Sequence, residues 1–160
     1  MTSILFICTA NRYRSPIAEA CFKKELIEHK KGKGWEVLSA GTWAMDGLPP
    51  VPDAVLEAKQ LGLDIQQHKS RGVTADMLRE ADLILVMERG QKEALQIEFR
   101  AHRQKIALLT EVAEEAPYDI ADPMKDKDPQ NSGAGAKITK LIQAGFERIC
   151  TRARENSERR

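Results

Sequence analysis

The stretch Cys8-Thr9-Ala10-Asn11-Arg12-Tyr13-Arg14-Ser15 lies between two elements that the sequence marks clearly. Ser3-Ile4-Leu5-Phe6-Ile7 precedes it, a short apolar run rich in β-formers that predicts a buried strand. Pro16-Ile17-Ala18-Glu19-Ala20-Cys21-Phe22 follows it and predicts the first turns of a helix. Ser15 suits the N-cap, and Pro16 suits the first helical position, where a missing N–H costs nothing. A loop that curls into a helix N-terminus turns backbone N–H groups into one concavity, and the helix dipole adds positive potential there. Thiols in such settings ionise readily. Arg14 can return a guanidinium to the same concavity, and its planar fork matches two oxygens of a phosphate. A thiolate inside such an oxyanion cradle is suited to attack on phosphorus. The plainer alternative is a buried strand-end cysteine beside a surface arginine. The strand before the motif and the Ser-Pro helix start after it favour the nucleophile.

The rest of the composition sets bounds on this reading. A chain of 160 residues predicts a single domain over 1–160, long enough to bury a sizeable core. Hydrophobic residues make up 42% and charged residues 31%, an ordinary globular balance. The net charge of +1 gives no electrostatic reason to expect a nucleic-acid or membrane partner. Three cysteines at irregular spacing form no disulfide framework, which points to a reducing, cytoplasmic setting. The N-terminal apolar run is too short for a signal-peptide core, and no segment reaches membrane-spanning length.

Outward from the motif, the chain alternates strands and helices. The first helix is expected over Pro16 to about Lys30, burying Ile17, Cys21, Phe22 and Leu26, so Cys21 reads as a core residue. Trp35 to Ser39 predicts a second strand that ends near Gly41. Gly47, Pro49, Pro50 and Pro52 make Thr42 to Pro52 a loop, on which Trp43 and Met45 either plug the core edge or wall a cleft. Asp53 to Leu61 is expected as a helix stopped by Gly62, with Ala54, Leu56, Ala58 and Leu61 available to the core. His68, on the connection that follows, reads as a structural hydrogen-bonder. Thr74 caps a short helix over Ala75 to Ala81, and Leu83 to Met87 is the clearest buried strand. Gln91 to about Phe99 predicts a helix, and Ile106 to Leu109 a short strand. Glu111 to Pro129 is acidic and reads as irregular. Gly133 to Arg152 carries the apolar pattern of a terminal helix, and the polar residues 153–160 are expected to fray. This order implies a three-layer α/β fold, a four-stranded parallel sheet with helices on both faces. Ligands of such sheets bind beyond the carboxyl ends of the strands, where the Cys8 loop, the Gly41 loop and the segment after Leu109 would meet.

Thiolate attack on a phosphate ester needs a partner to protonate the leaving oxygen, a contribution of typically ~10²–10⁴-fold. Asp122-Pro123 is the candidate, because the proline holds Asp122 in an extended pose. Here the residues resemble the low-molecular-weight protein tyrosine phosphatase family. The resemblance rests on Cys8, Arg14, Ser15, Pro16, Ala18 and Glu19. It extends to Ser39-Ala40-Gly41-Thr42-Trp43, His68-Lys69-Ser70-Arg71, Ala81 to Met87 and Asp122-Pro123, in the family's order. It implies a flavodoxin-like, phosphotyrosine phosphatase I-like fold, no metal and no organic cofactor. By position it implies that Cys8 is the nucleophile that forms a phosphocysteine. Arg14 corresponds to the phosphate-binding arginine, and Asp122 to the general acid and later the general base. Backbone N–H groups from Thr9, Ala10, Asn11, Arg12, Tyr13, Arg14 and Ser15 would surround the phosphoryl oxygens. Ser15 would support the thiolate as leaving group, Asn11 would pin the loop with Ser39 and His68, and Trp43 would wall the cleft. The implied substrate is a phosphotyrosine protein or a small aryl phosphate, with phosphate as product.

The chain also departs from that family. Ala10 stands where the family has a glycine, and is expected to strain or reshape the loop. Tyr13 stands where a second cysteine can protect the nucleophile, so oxidised Cys8 is expected to lack a nearby resolving thiol. Arg12 replaces a small or apolar residue; it should favour acidic surroundings of the phosphorylated group and disfavour phosphoarginine. Met124 and Lys125 replace two aromatic residues after the Asp-Pro. Three alternatives follow: an arsenate reductase, for which Cys21 and Cys150 are the only further thiols, a phosphoarginine phosphatase, or a weakly active phosphate-binding module.

Overall fold

A computed structural model describes residues 1–129 and 132–160. Four strands form one sheet in the order β2-β1-β3-β4: β1 (Thr2–Cys8), β2 (Trp35–Gly41), β3 (Leu83–Val86) and β4 (Ile106–Leu108). Every pairing is parallel, with Cys8 opposite Gly41 and Ile7 opposite Val86. Among the described residues six α-helices surround it: α1 (Arg14–Glu28), α2 (Pro52–Gln60), α3 (Ala75–Glu80), α4 (Arg89–Glu98), α5 (Leu109–Glu114) and α6 (Ala134–Glu158).

The strands are near-continuous apolar runs because both faces of the sheet are covered. Alternation then sorts their side chains into two cores. Ile4, Phe6, Cys8, Leu83 and Leu85 pack with α1, α2, α5 and α6, around Phe22 and Phe146. Leu5, Ile7, Ile84, Val86 and Leu108 pack with Leu78 of α3 and Leu95 of α4. Cys8 therefore ends β1 on the α1 side of the sheet, beneath the first turn of that helix. Among the described residues no helix is long and apolar enough to cross a membrane.

Several boundaries differ from expectation for definable reasons. Helix α1 starts two residues early, with Tyr13 rather than Ser15 as N-cap and Pro16 third rather than first. Pro16 is still tolerated, because none of the first four helical N–H groups has an intrahelical partner. The Ser15 hydroxyl is used elsewhere, as described below. In α2, Glu57 is buried where Leu56 was expected, and Leu56 is exposed. The segment expected to be irregular begins with α5 and includes a 3₁₀ turn at Pro123–Lys125. The polar end does not fray from 153: α6 is helical to Glu158, and Arg160 pairs with buried Asp82.

Candidate active site

The loop from Cys8 to Ser15 is held by outward-facing carbonyls. Thr42 N–H donates to the Cys8 carbonyl (2.9 Å), Trp43 N–H to that of Thr9 (2.9 Å), and Val51 N–H to that of Arg12 (3.2 Å). His68 Nε2 bonds the Asn11 carbonyl at 2.8 Å. A trans peptide places its N–H opposite its C=O. The amides of Thr9, Ala10, Arg12 and Tyr13 therefore face the loop's interior, and the start of α1 adds its own unpaired N–H groups.

Asn11 fixes the turn. It is fully buried and adopts a left-handed backbone (φ 57°), a conformation in which asparagine is enriched. Its Oδ1 accepts from Arg71 N–H (3.0 Å), which sets the orientation of the amide. Its Nδ2 then donates to Ser15 Oγ (2.8 Å) and to Ser39 Oγ (3.0 Å). Ser15 Oγ, held by that bond, lies 2.9 Å from Cys8 Sγ, a far closer partner for its hydrogen than the Ala40 carbonyl at 3.5 Å. Ser39 Oγ passes its hydrogen to Glu19 Oε1 (2.7 Å). Ala10 does not occupy the left-handed position and is not strained; the conformation that would call for glycine falls on Asn11.

Arg14 is almost wholly buried, so its charge must be paired. Nη1 donates to the Ile120 carbonyl (2.7 Å) and lies 3.3 Å from Glu88 Oε2. Nη2 lies 3.3 Å from Thr9 Oγ1 and 3.9 Å from Asp122 Oδ2. Asp122 caps the 3₁₀ turn, its Oδ1 accepting from Met124 N–H (2.9 Å). A cavity of about 150 Å³ opens over this arrangement. Cys8, Ala10, Arg12, Tyr13 and Arg14 line it from the loop, and Val51, Asp122 and Met124 line it from the facing segments. A larger groove of about 740 Å³ between α1 and residues 62–68 holds no cysteine, so volume alone does not locate the chemistry.

The fold thus brings Cys8, Arg14, Ser15 and Asp122 together, with Asn11, Ser39 and His68 behind them. Arg12 reaches sideways, Nε donating to the Pro49 carbonyl (2.8 Å), so it anchors the 42–52 loop while lining the cavity. Trp43 and Met45 do not plug the core; both are exposed, and Trp43 braces the loop through its backbone without lining the cavity over Cys8. Tyr13 lines the cavity, but its phenol turns away toward Glu57.

Three residues escaped the sequence reading. Glu88 neutralises Arg14. Gln91 donates from Nε2 to Thr9 Oγ1 (3.0 Å) and to Glu88 Oε2 (3.1 Å), while its Oε1 accepts from Met87 and Glu88 N–H. Glu57 takes the Tyr13 phenol. Glu88 and Gln91 carry the spacing of a helix-start box just beyond β3, a signal that could have been used. Glu57 gives none, because an acid in a helix reads as a solvated face.

All three cysteines are free. Burial pushes the Cys21 thiol up to about 12 and the Cys150 thiol up to about 11. Neither is suited to relay a disulfide, which weighs against the arsenate reductase alternative.

Comparison with known proteins accords with this arrangement. A protein from Ralstonia solanacearum, a probable low molecular weight protein-tyrosine-phosphatase called EpsP, is 34% identical over 147 residues, covering 92% of this chain and 95% of that protein. A protein-arginine-phosphatase of Geobacillus stearothermophilus is 33% identical over 148 residues, covering 92% and 96%. The crystal structure of a low molecular weight protein tyrosine phosphatase from T. tengcongensis superimposes with a TM-score of 0.82 at 30% identity, covering 92% of this chain and 99% of that one. The profile of the family described as low molecular weight phosphotyrosine protein phosphatase matches residues 3–159. This chain belongs to that family and is a cysteine-based phosphatase.

Proposed function

We propose that the chain hydrolyses phosphotyrosine or a related aryl phosphate, with Cys8, Arg14 and Asp122 in the reacting roles. The phosphoryl oxygens sit among the inward amides and the Arg14 fork, placing phosphorus above Cys8 Sγ. Sulfur attacks opposite the ester oxygen; the S–P bond forms as the P–O bond breaks, and Asp122 gives its proton to the departing phenolate oxygen. Water then attacks phosphorus, Asp122 takes a proton from it, and sulfur leaves as thiolate while Ser15 donates to it. The observation that most supports this is the 2.9 Å contact between Cys8 Sγ and the Ser15 hydroxyl, which Asn11 holds in place by its own hydrogen bond. A thiolate reaction also suits a reducing compartment, hence a cytoplasmic one.

Arg12 at the cavity supports an aryl phosphate over phosphoarginine, whose guanidinium would bring a positive charge up to that of Arg12. The test is hydrolysis of p-nitrophenyl phosphate, a phosphotyrosine peptide and a phosphoarginine peptide at mildly acidic pH. The parent should turn over the first two, and Cys8→Ser should be inactive. Asp122→Ala should lose about 10²–10⁴-fold on the phosphotyrosine peptide and less on the nitrophenyl ester, whose leaving group needs little help. Faster turnover of the phosphoarginine peptide overturns the substrate assignment. Phosphate or vanadate binding with no turnover above Cys8→Ser overturns the catalytic one.

A further inference from the structure

Tyr13 and Arg14 are neighbours in the loop, and their side chains grip opposite ends of one segment. Arg14 Nη1 donates to the Ile120 carbonyl at 2.7 Å. The Tyr13 phenol, buried, shares its one hydrogen between Glu57 Oε1 at 2.9 Å and the Pro129 carbonyl at 3.1 Å, a three-centre bond. Between those grips lies Asp122. Glu57 is itself built into place: its Oε1 also accepts from Gly135 N–H (3.0 Å) in the first turn of α6. A Cβ on residue 135 would lie 2.5 Å from that carboxylate, so only glycine admits the contact. The phenol is thus fixed from behind by α2 and α6. Burial first, and then the Glu57 carboxylate beside it, push its pKa up, so it stays a donor.

We propose that Tyr13 is a positioning residue for proton transfer: its hydroxyl, held by Glu57, clamps the far end of the 120–129 segment and so sets Asp122 over the leaving oxygen. The inference rests on Asp122 being the acid. A carboxylic acid displaced by even a fraction of an ångström donates less well, and the loss grows as the leaving group becomes more basic. The hydroxyl therefore matters most for esters that need the proton.

The test compares kcat/KM for phenyl phosphate, a poor leaving group, with kcat/KM for p-nitrophenyl phosphate, a good one. Both values report the steps through leaving-group departure. The variants are Tyr13→Phe and Tyr13→Met, which fill the site without a hydroxyl, together with Asp122→Asn and the Tyr13→Phe/Asp122→Asn double variant. In each Tyr13 variant the quotient of the nitrophenyl over the phenyl value should rise about tenfold, within the ~10²–10⁴-fold an acid supplies. In the Asp122→Asn background, Tyr13→Phe should raise it no further, because the two act on one proton transfer. Equal losses on both esters, an unchanged quotient, or an undiminished tenfold effect without Asp122 overturns the proposal. So does loss of the folded state in both Tyr13 variants, read by circular dichroism, which would make the residue purely structural. If Asp122→Asn alone leaves the quotient at the parent value, the acid assignment itself has failed, an outcome distinct from a failure confined to Tyr13.

Discussion

At the scale of single residues, the three thiols differ by where their strands and helices leave them. Cys8 lines the cavity, whereas Cys21 and Cys150 are sealed in the core with thiols pushed up to about 12 and about 11. A thiol that high presents almost no thiolate at neutral pH. Iodoacetamide applied to the folded protein at neutral pH should therefore alkylate Cys8 alone, and vanadate should protect it; mass mapping that finds Cys21 or Cys150 labelled contradicts this. The same burial bears on oxidation. Tyr13 fills the place where the family can offer a resolving cysteine, and its phenol is committed to Glu57. Peroxide should carry Cys8 to sulfinic and sulfonic acid, seen as added oxygen by intact mass and not reversed by thiol. A Cys8–Cys21 disulfide in that experiment would refute the expectation.

At the scale of elements, the contact between β2 and the loop depends on one missing side chain. A Cβ on Gly41 would lie 2.3 Å from the Thr9 carbonyl oxygen and 3.0 Å from Asn11 N, both backbone atoms. Gly41→Ala should push β2 off the loop, costing about 1–3 kcal/mol in urea unfolding, with a fall in kcat/KM. Gly90, within α4, meets nothing within 4 Å, so Gly90→Ala should instead stabilise by about 0.5–1 kcal/mol. Equal effects at the two positions would break the argument. This contrast also marks how far sequence reading reaches. The strands, α1, α3 and the buried stripe of α6 were legible because apolar periodicity and cap residues are local signals. Cys8, Arg14, Ser15 and Asp122 were legible through spacing and family resemblance. The short α5 was not, since its six residues lie in acidic surroundings and are held by packing of Leu109, Val112 and Ala113. Glu88 against Arg14 and Glu57 against Tyr13 were hidden too, because each acquires meaning only from a partner far along the chain.

At the scale of the whole molecule, the two ends of the sheet do different work. The carboxyl ends of the strands carry the loops that meet over Cys8. The amino ends are tied together around Asp82, whose side chain is fully buried just before β3. Its Oδ2 accepts from Ser3 N–H of β1 (2.8 Å) and from Arg160 Nη2 (2.8 Å), and its Oδ1 lies 2.7 Å from Arg160 Nε. Asn156 of α6 donates to the Asp82 carbonyl (2.9 Å). One arginine hydrogen bond, to Oδ2, and an ion pair to Oδ1 that lacks hydrogen-bond geometry thus hold a buried carboxylate that joins β1, β3 and the end of α6. Arg160→Ala leaves Oδ1 of that carboxylate without its cation, and burial of an unpaired acceptor costs about 1–3 kcal/mol. Arg160 is itself about half exposed at 49%, which screens the pair and keeps the loss below that of a fully buried bridge. The urea midpoint should therefore fall with little change in slope, while kcat/KM stays at the parent value, because nothing at this end touches the loop around Cys8. In an Asp82→Asn background the same Arg160→Ala change should cost little or nothing, since the charge it served is gone. A full additional loss there would show that Arg160 acts through some contact other than Asp82, and a fall in kcat/KM without loss of stability would mean that the two ends of the sheet are coupled.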